Sequence, residues 1–155
     1  DHGMFNKMWM YEESLKVPLI IRYPEKIKLA TISDFFVSVL DFSTTFLDYA
    51  DIKKPEQFQG QSIKPILSGE TPPDWRSSHF YHFFGQFDVP SHYGIRTKDY
   101  KLIYFYESKE EPKWELYDLK NDPTEMVNLA YNSKYIDALQ EMKLILEEKR
   151  NISEK

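Results

Sequence analysis

No cysteine occurs among the 155 residues, which excludes an internal disulfide framework, a thiolate zinc site and a cysteine nucleophile. A basic excess is missing too, since 20 Lys and Arg against 25 Asp and Glu leave a formal net charge of -5. A protein that coats a nucleic-acid backbone needs a basic face, so that class of partner is set aside and an anionic ligand would have to be met locally. No apolar run reaches the roughly 18 residues of a bilayer span. The first residues lack a basic stretch followed by an apolar one, and there is no initiator methionine; no signal peptide is read and a cut start is expected. Internal repeats and low-complexity tracts are also lacking.

What is present suffices for a core. Hydrophobic residues make up 41% and aromatics 16%, well above a disordered composition, and the length suits one domain or a large piece of one. Val17-Pro18-Leu19-Ile20-Ile21-Arg22 is a continuous apolar run closed by Tyr23-Pro24, the pattern of a strand buried on both faces of a parallel sheet. From Phe35 to Tyr49 the spacing turns helical, with Leu40, Thr44 and Leu47 on one face. Residues 51 to 76 are rich in Pro, Gly, Lys and Ser and read as a connector with one helical turn around Ile63 to Leu67.

Beyond the connector the period becomes two. Phe80–Phe84, His92–Thr97, Tyr100–Tyr106 and Trp114–Leu119 are predicted strands, with Thr97-Lys98-Asp99 as a hairpin turn. Asp122-Pro123-Thr124-Glu125 carries a helix-start signature and predicts a short helix toward Asn128. Tyr135, Leu139, Met142 and Leu146 recur at spacings of four and three, an amphipathic helix that covers the antiparallel layer.

Few residues suggest chemistry by type. Lys7 offers a point charge to an oxyanion, and His2 a hydrogen bond, a ligand or an acid; read alone, they are a solvated cation and a chance histidine. His79 and His82 fall on opposite faces of a strand, so they share no metal. His92 stands at a loop-to-strand junction from which it could reach a substrate, although packing is the commoner fate. Arg96 and Lys101 read as structural cations, Glu12 and Glu13 as helix-start or capping carboxylates, and Asp118 and Asp122 as turn and cap residues. Phe80, Tyr81, Phe83, Phe84 and Phe87 fit either a core or a sugar-stacking platform. Asn151-Ile152-Ser153 matches a glycosylation sequon, a triplet too frequent by chance to carry weight.

Several stretches in order resemble the formylglycine-dependent sulfatases of the alkaline-phosphatase-like superfamily. Asp1-His2-Gly3 with Lys7, Tyr11-Glu12-Glu13-Ser14 and Val17-Pro18-Leu19-Ile20 is similar to that family's lysine-bearing segment and following strand. Val37–Asp41 leading to Gly60-Gln61-Ser62, the hairpin His92–Thr97 with Tyr100–Ile103, and Glu115-Leu116-Tyr117-Asp118-Leu119 with Asn121-Asp122-Pro123 resemble later segments. The resemblance covers nearly the whole chain.

It implies an α/β protein whose part seen here is α+β: residues 1–76 as the C-terminal part of an α/β sandwich domain with its connector, and 77–155 as a small antiparallel subdomain with a terminal helix. It implies hydrolysis of a sulfate ester in a full-length parent with formylglycine and calcium, acting on a sulfated small molecule or sugar together with the missing N-terminal part. Neither a Cys nor a Ser followed by x-Pro-x-Arg occurs, so this chain alone is expected to be inactive and to hold no cofactor. By resemblance Lys7 contacts the sulfate, with His2 and His92 as further substrate-binding candidates. Asp1 and His2 are candidate metal ligands, though Asp1-His2-Gly3 better fits a second element that follows the metal pair. One carboxylate and one imidazole make a poor site for calcium, which takes about six to eight oxygens. The resemblance suggests a periplasmic or extracellular setting. Alternatives are a non-catalytic carbohydrate-binding or structural module, and a piece of a related phosphodiesterase or phosphatase.

Overall fold

The computed structural model describes residues 7–27, 30–107 and 113–153. These form two compact units, Leu19–Ser77 and the remainder.

The larger unit is built on a four-stranded antiparallel meander, β1 (Ser78–Phe83), β2 (His92–Thr97), β3 (Tyr100–Phe105) and β4 (Trp114–Asp118), paired in sequence order. Its register alternates side chains between two covered faces. One face presents Ile95, Leu102 and Leu116 to Met142 and Leu146 of α4 (Ile136–Ser153), with Leu129 and Ala130 filling the same core. The four-and-three spacing of Tyr135, Leu139, Met142 and Leu146 lays that stripe on the sheet, as predicted. At the margins Lys143 Nζ sits 4.2 Å from the Trp114 ring centroid and Arg150 donates to the Tyr93 hydroxyl at 2.9 Å.

The opposite face carries Tyr81, Phe83, His92, Arg96, Lys101, Ile103, Phe105 and Tyr117. No long helix covers it. Residues 8–15 cross it instead, ending in the single-turn helix α1 (Glu12–Leu15), with Met10 and Tyr11 buried against Ile103, Phe105 and Tyr117. Gly94 permits this close approach: a Cβ there would lie 2.5 Å from Met10 Sδ and would also meet the Leu102 carbonyl oxygen. Burial of Met10, Ile103 and Phe105 supplies about 1.5–3 kcal/mol per side chain by area.

In the unit Leu19–Ser77, α2 (Leu40–Tyr49) and the turn α3 (Lys64–Leu67) stand where helical spacing and the Ile63–Leu67 stretch predict helix. Of the predicted face, Thr44 is buried, but Leu47 is only half-buried and Leu40 is exposed. It is Asp41, Thr44 and Thr45 that point inward, while Leu40 and Phe46 are exposed. The reason is a polar hub: Asp41 takes a bidentate pair from Arg76 at 2.5 and 2.8 Å and accepts the backbone N–H groups of Ser38 and Gln61, both at 2.8 Å. Thr45 Oγ1 donates to the Asp41 carbonyl and accepts from Ile63 N. A buried carboxylate that fully satisfied outweighs the burial of a leucine on this short helix.

Two further expectations are corrected. Val17–Arg22 is not a doubly buried strand: it pairs with nothing in a sheet, and Val17 and Ile20 are 74% and 92% exposed. The apolar pattern is real, but no parallel partner strand exists among the described residues to receive it. Nor does Asp122-Pro123-Thr124-Glu125 start a helix. Glu125 takes a φ of 56° and closes a turn on the Asp122 carbonyl, while Asp122 Oδ2 accepts from Val127 N. The side chain expected to bond back to the cap is drawn into the core by Lys101.

Candidate functional site

The segment from Lys7 to Leu15 is held on its sheet face at successive points. The Tyr81 hydroxyl donates to the Met8 carbonyl at 3.0 Å. The Trp9 ring stacks with His92, centroids 6.1 Å apart, and leans on Phe105. Tyr11 donates through its hydroxyl to Glu115 at 2.9 Å. Glu12 closes the series. Its Oε1 lies 2.8 Å from Lys101 Nζ, and its Oε2 takes a 3.0 Å pair from the Arg96 guanidinium. Glu12 N donates to Glu125 Oε2 at 2.7 Å, and Glu125 Oε1 lies 2.7 Å from Lys101.

Lys101 and Glu125 are fully buried and Arg96 and Glu12 half-buried, so the cluster sets two cations against two carboxylates, with one ion of each sign shut off from water. Its charges titrate in opposite senses. Burial raises the Glu12 carboxyl, but the Arg96 hydrogen bond and the Lys101 charge more than offset this and bring it down to about 2. At Glu125 burial prevails over Lys101 and the Glu12 N–H, and its carboxyl is raised. Burial, joined by the Glu115 carboxylate, likewise raises the Tyr11 and Tyr117 hydroxyls, which stay protonated donors.

Lys7, the sequence-predicted sulfate contact, is exposed at the start of this pinned segment, one residue before the Met8 carbonyl that Tyr81 holds. His92 lies at the same end of the sheet, paired with Phe83 and Phe105. It is wholly buried among Trp9, Tyr81, Phe83 and Phe105, with Nδ1 2.8 Å from the Pro90 carbonyl and, among the described residues, no hydrogen-bond partner at Nε2. Burial lowers its pKa, so the ring is neutral, Nδ1 donates to Pro90 and Nε2 keeps a free lone pair. Asp1 and His2 lie outside the described residues. His79 and His82 fall on opposite faces, as expected. Among the described residues no three His, Asp, Glu or Cys side chains converge to hold a metal.

Arg96 and Lys101 are structural, as their place in strands suggested, but their partner is a carboxylate from the other end of the chain. Glu12 opens α1, as its helix-start reading expected, but its side chain is an anchor and not a cap, and Trp9, Tyr81 and Glu125 were not singled out by the sequence as supports of the Lys7 segment. One signal was present: a period of two puts Lys101 on the same face as Ile103 and Phe105, where a cation needs a buried partner.

Comparison with known proteins shows the family. A family model described as N-sulphoglucosamine sulphohydrolase, C-terminal, matches residues 1–152. The N-acetylglucosamine-6-O-sulfatase of Bacteroides thetaiotaomicron is 45% identical over 153 residues, 96% of this chain and 27% of that protein. An uncharacterized Haemophilus influenzae protein is 34% identical over 92% of this chain and 69% of its own length. Among solved structures, BT4656 in complex with its substrate D-glucosamine-2-N,6-O-disulfate superposes with a TM-score of 0.89 at 44% identity, covering 97% of this chain and 31% of that one. The chain thus spans under a third of the length of the sulfatases it matches. With its four-stranded sheet, its covering helix and this match along nearly its whole length, the chain belongs to the N-sulphoglucosamine sulphohydrolase C-terminal family, the C-terminal portion of the sulfatases.

Proposed function

We propose that this chain forms one wall of the active site of a larger sulfatase that removes sulfate from a sulfated sugar, and that Lys7 contacts the sulfate. The observation that carries the reading is the pinned segment. A flexible lysine at a free end is a poor anion ligand, whereas one carried by a backbone fixed at Met8, Met10, Tyr11 and Glu12 is preorganised for charge developing on a sulfate oxygen. The neutral His92, with Nε2 lacking a partner beside Trp9, can hydrogen-bond a hydroxyl of the same substrate after a modest shift of that ring. His2 adds a donor if it follows Lys7 to the site.

The described residues do not fit calcium. Glu12 and Glu125 already neutralise Lys101 and Arg96, and Glu115 accepts from the Tyr11 and Tyr117 hydroxyls, so metal ligands and the formylglycine nucleophile would come from the rest of the parent. That remainder is the partner proposed for the apolar Val17–Ile21 run, which would join a larger sheet, with residues 1–76 closing its α/β domain and 77–155 forming the small subdomain.

The test is sulfate release by the full-length protein from N-acetylglucosamine 6-O-sulfate, followed by ion chromatography. Stoichiometric inorganic sulfate is expected. Release of phosphate from phosphate esters, with no sulfate from any sulfate ester, would replace this reading with the phosphatase one.

A further inference from the structure

At the loop joining β1 to β2, Gln86 and Val89 exchange backbone hydrogen bonds at 3.2 and 3.1 Å and close a two-residue turn over Phe87 and Asp88. Phe87 holds the first central position with φ 55°, a place that glycine takes in a tight hairpin turn because a side chain there is strained. Among the described residues no burial of the ring offsets that strain, since Phe87 is 81% exposed. Phe84, on the same loop, is 76% exposed, yet its ring is backed by His82 at a centroid distance of 4.0 Å, and His82 is itself held by the Tyr106 hydroxyl at 3.1 Å. Both residues line a shallow cleft of about 340 Å³. Ser91 and Glu107 stand in it, joined by a hydrogen bond from the serine hydroxyl to the carboxylate, and Gln86 adds an amide at the edge.

Two exposed aromatic faces beside a carboxylate, a hydroxyl and an amide match a pyranose ring, which has apolar C–H faces and a hydroxyl-bearing edge. The described residues that line the cleft include no Lys, Arg or His, so it is unsuited to a sulfate group. We infer that the β1–β2 loop is a second saccharide subsite that takes an uncharged sugar residue next to the sulfated one, with Phe84 and Phe87 stacking on the ring and Glu107 accepting its hydroxyls. The strain at Phe87 is then the means by which its ring is turned outward.

This rests on the sulfatase reading, and the experiment separates the two. The full-length protein is assayed on N-acetylglucosamine 6-O-sulfate and on a tetrasaccharide ending in the same sulfated residue, with wild type, Phe87→Gly and Phe84→Ala. Wild type should show a lower KM for the tetrasaccharide. Each variant should raise the ratio of tetrasaccharide to monosaccharide KM roughly three- to ten-fold, the worth of one aromatic contact, while Phe87→Gly keeps or raises Tm by relieving the turn. An unchanged ratio overturns the subsite and leaves the sulfatase reading standing. A Tm lowered by Phe87→Gly also overturns it, because the ring would then be packing against another part of the protein. Absence of sulfate release from both substrates in wild type overturns the sulfatase reading itself, and the subsite with it.

Discussion

Lys101 Nζ, with no exposure to solvent, lies 2.8 Å from Glu12 Oε1 and so joins the third strand of the sheet to the segment that carries Lys7. The same ammonium reaches Glu125 at 2.7 Å, which ties in the turn after β4. Three stretches distant in sequence meet at one charge. Removing Lys101 strands the buried Glu125, whereas removing either carboxylate leaves Lys101 with the other, and that asymmetry makes the cluster testable.

Lys101→Met strips Glu125 of its counter-ion and leaves Glu12 with Arg96 alone. Destabilisation of about 3–5 kcal/mol is expected in urea unfolding. The double variant Lys101→Met with Glu125→Gln removes the stranded charge and should recover a clear part of that loss. A double variant as unstable as the sum of the two single ones would show that Lys101 and Glu125 do not act as a pair.

Acid weakens the clamp through Glu12. Its folded pKa, about 2, is below the ordinary 4.5, so the stability it contributes is fully present above the unfolded value and is lost as pH falls through about 4.5 toward 2. The shift corresponds to about 3 kcal/mol at 1.36 kcal/mol per unit. Glu125, raised by burial, works in the opposite sense and loses stability as pH rises above its unfolded value. Comparing wild type with Glu12→Gln isolates the first group: the stability gap should be largest near pH 6 and shrink steadily below pH 4.5. A gap constant down to pH 2 contradicts the assignment.

Gly94→Ala places a methyl group against Met10 Sδ and the Leu102 carbonyl. Overpacking of this kind costs about 1–3 kcal/mol. Met10→Ala alone loses the burial of that side chain, so the double variant should lose less than the sum of the two single variants, by part of the overpacking cost only, since the clash with the backbone carbonyl persists. Thermal melts of the single and double variants decide it.

Much of the antiparallel layer was legible because its signals are local. Tyr100–Phe105 alternates, the Thr97–Asp99 turn lies where the alternation pauses, and Tyr135 to Leu146 mark the helix face. What escaped depends on partners far away in the chain. Glu12 read as a helix-start carboxylate and Lys101 as a structural strand cation, and both readings stand, but nothing local reports that Met10 and Tyr11 will bring the two together as a pair. Glu125 carried a true capping signature, yet one long-range ion pair outweighed a local bond worth about 1 kcal/mol. At α2 the apolar spacing indicated a leucine face, and Arg76 with Gln61 turned Asp41 inward instead.

Asp41→Asn tests that second hub. It keeps the shape but loses the ionic half of the bidentate pair with Arg76 and acceptance from one of the two backbone N–H groups. Loss of about 2–4 kcal/mol is expected, because Asp41 is fully buried. The readout is hydrogen exchange of the Ser38 and Gln61 amides, which should speed up while those of β2 and β3 stay protected.

The central claim is that Lys7, presented by the pinned segment, binds the sulfate of the substrate. Its most direct test is kcat/KM for an aryl sulfate with the full-length protein and its Lys7→Ala variant, alongside their Tm values. The account predicts a fall of about 100-fold or more with Tm unchanged, because Lys7 is exposed and supports no core contact. Equal kcat/KM in the two proteins would contradict it.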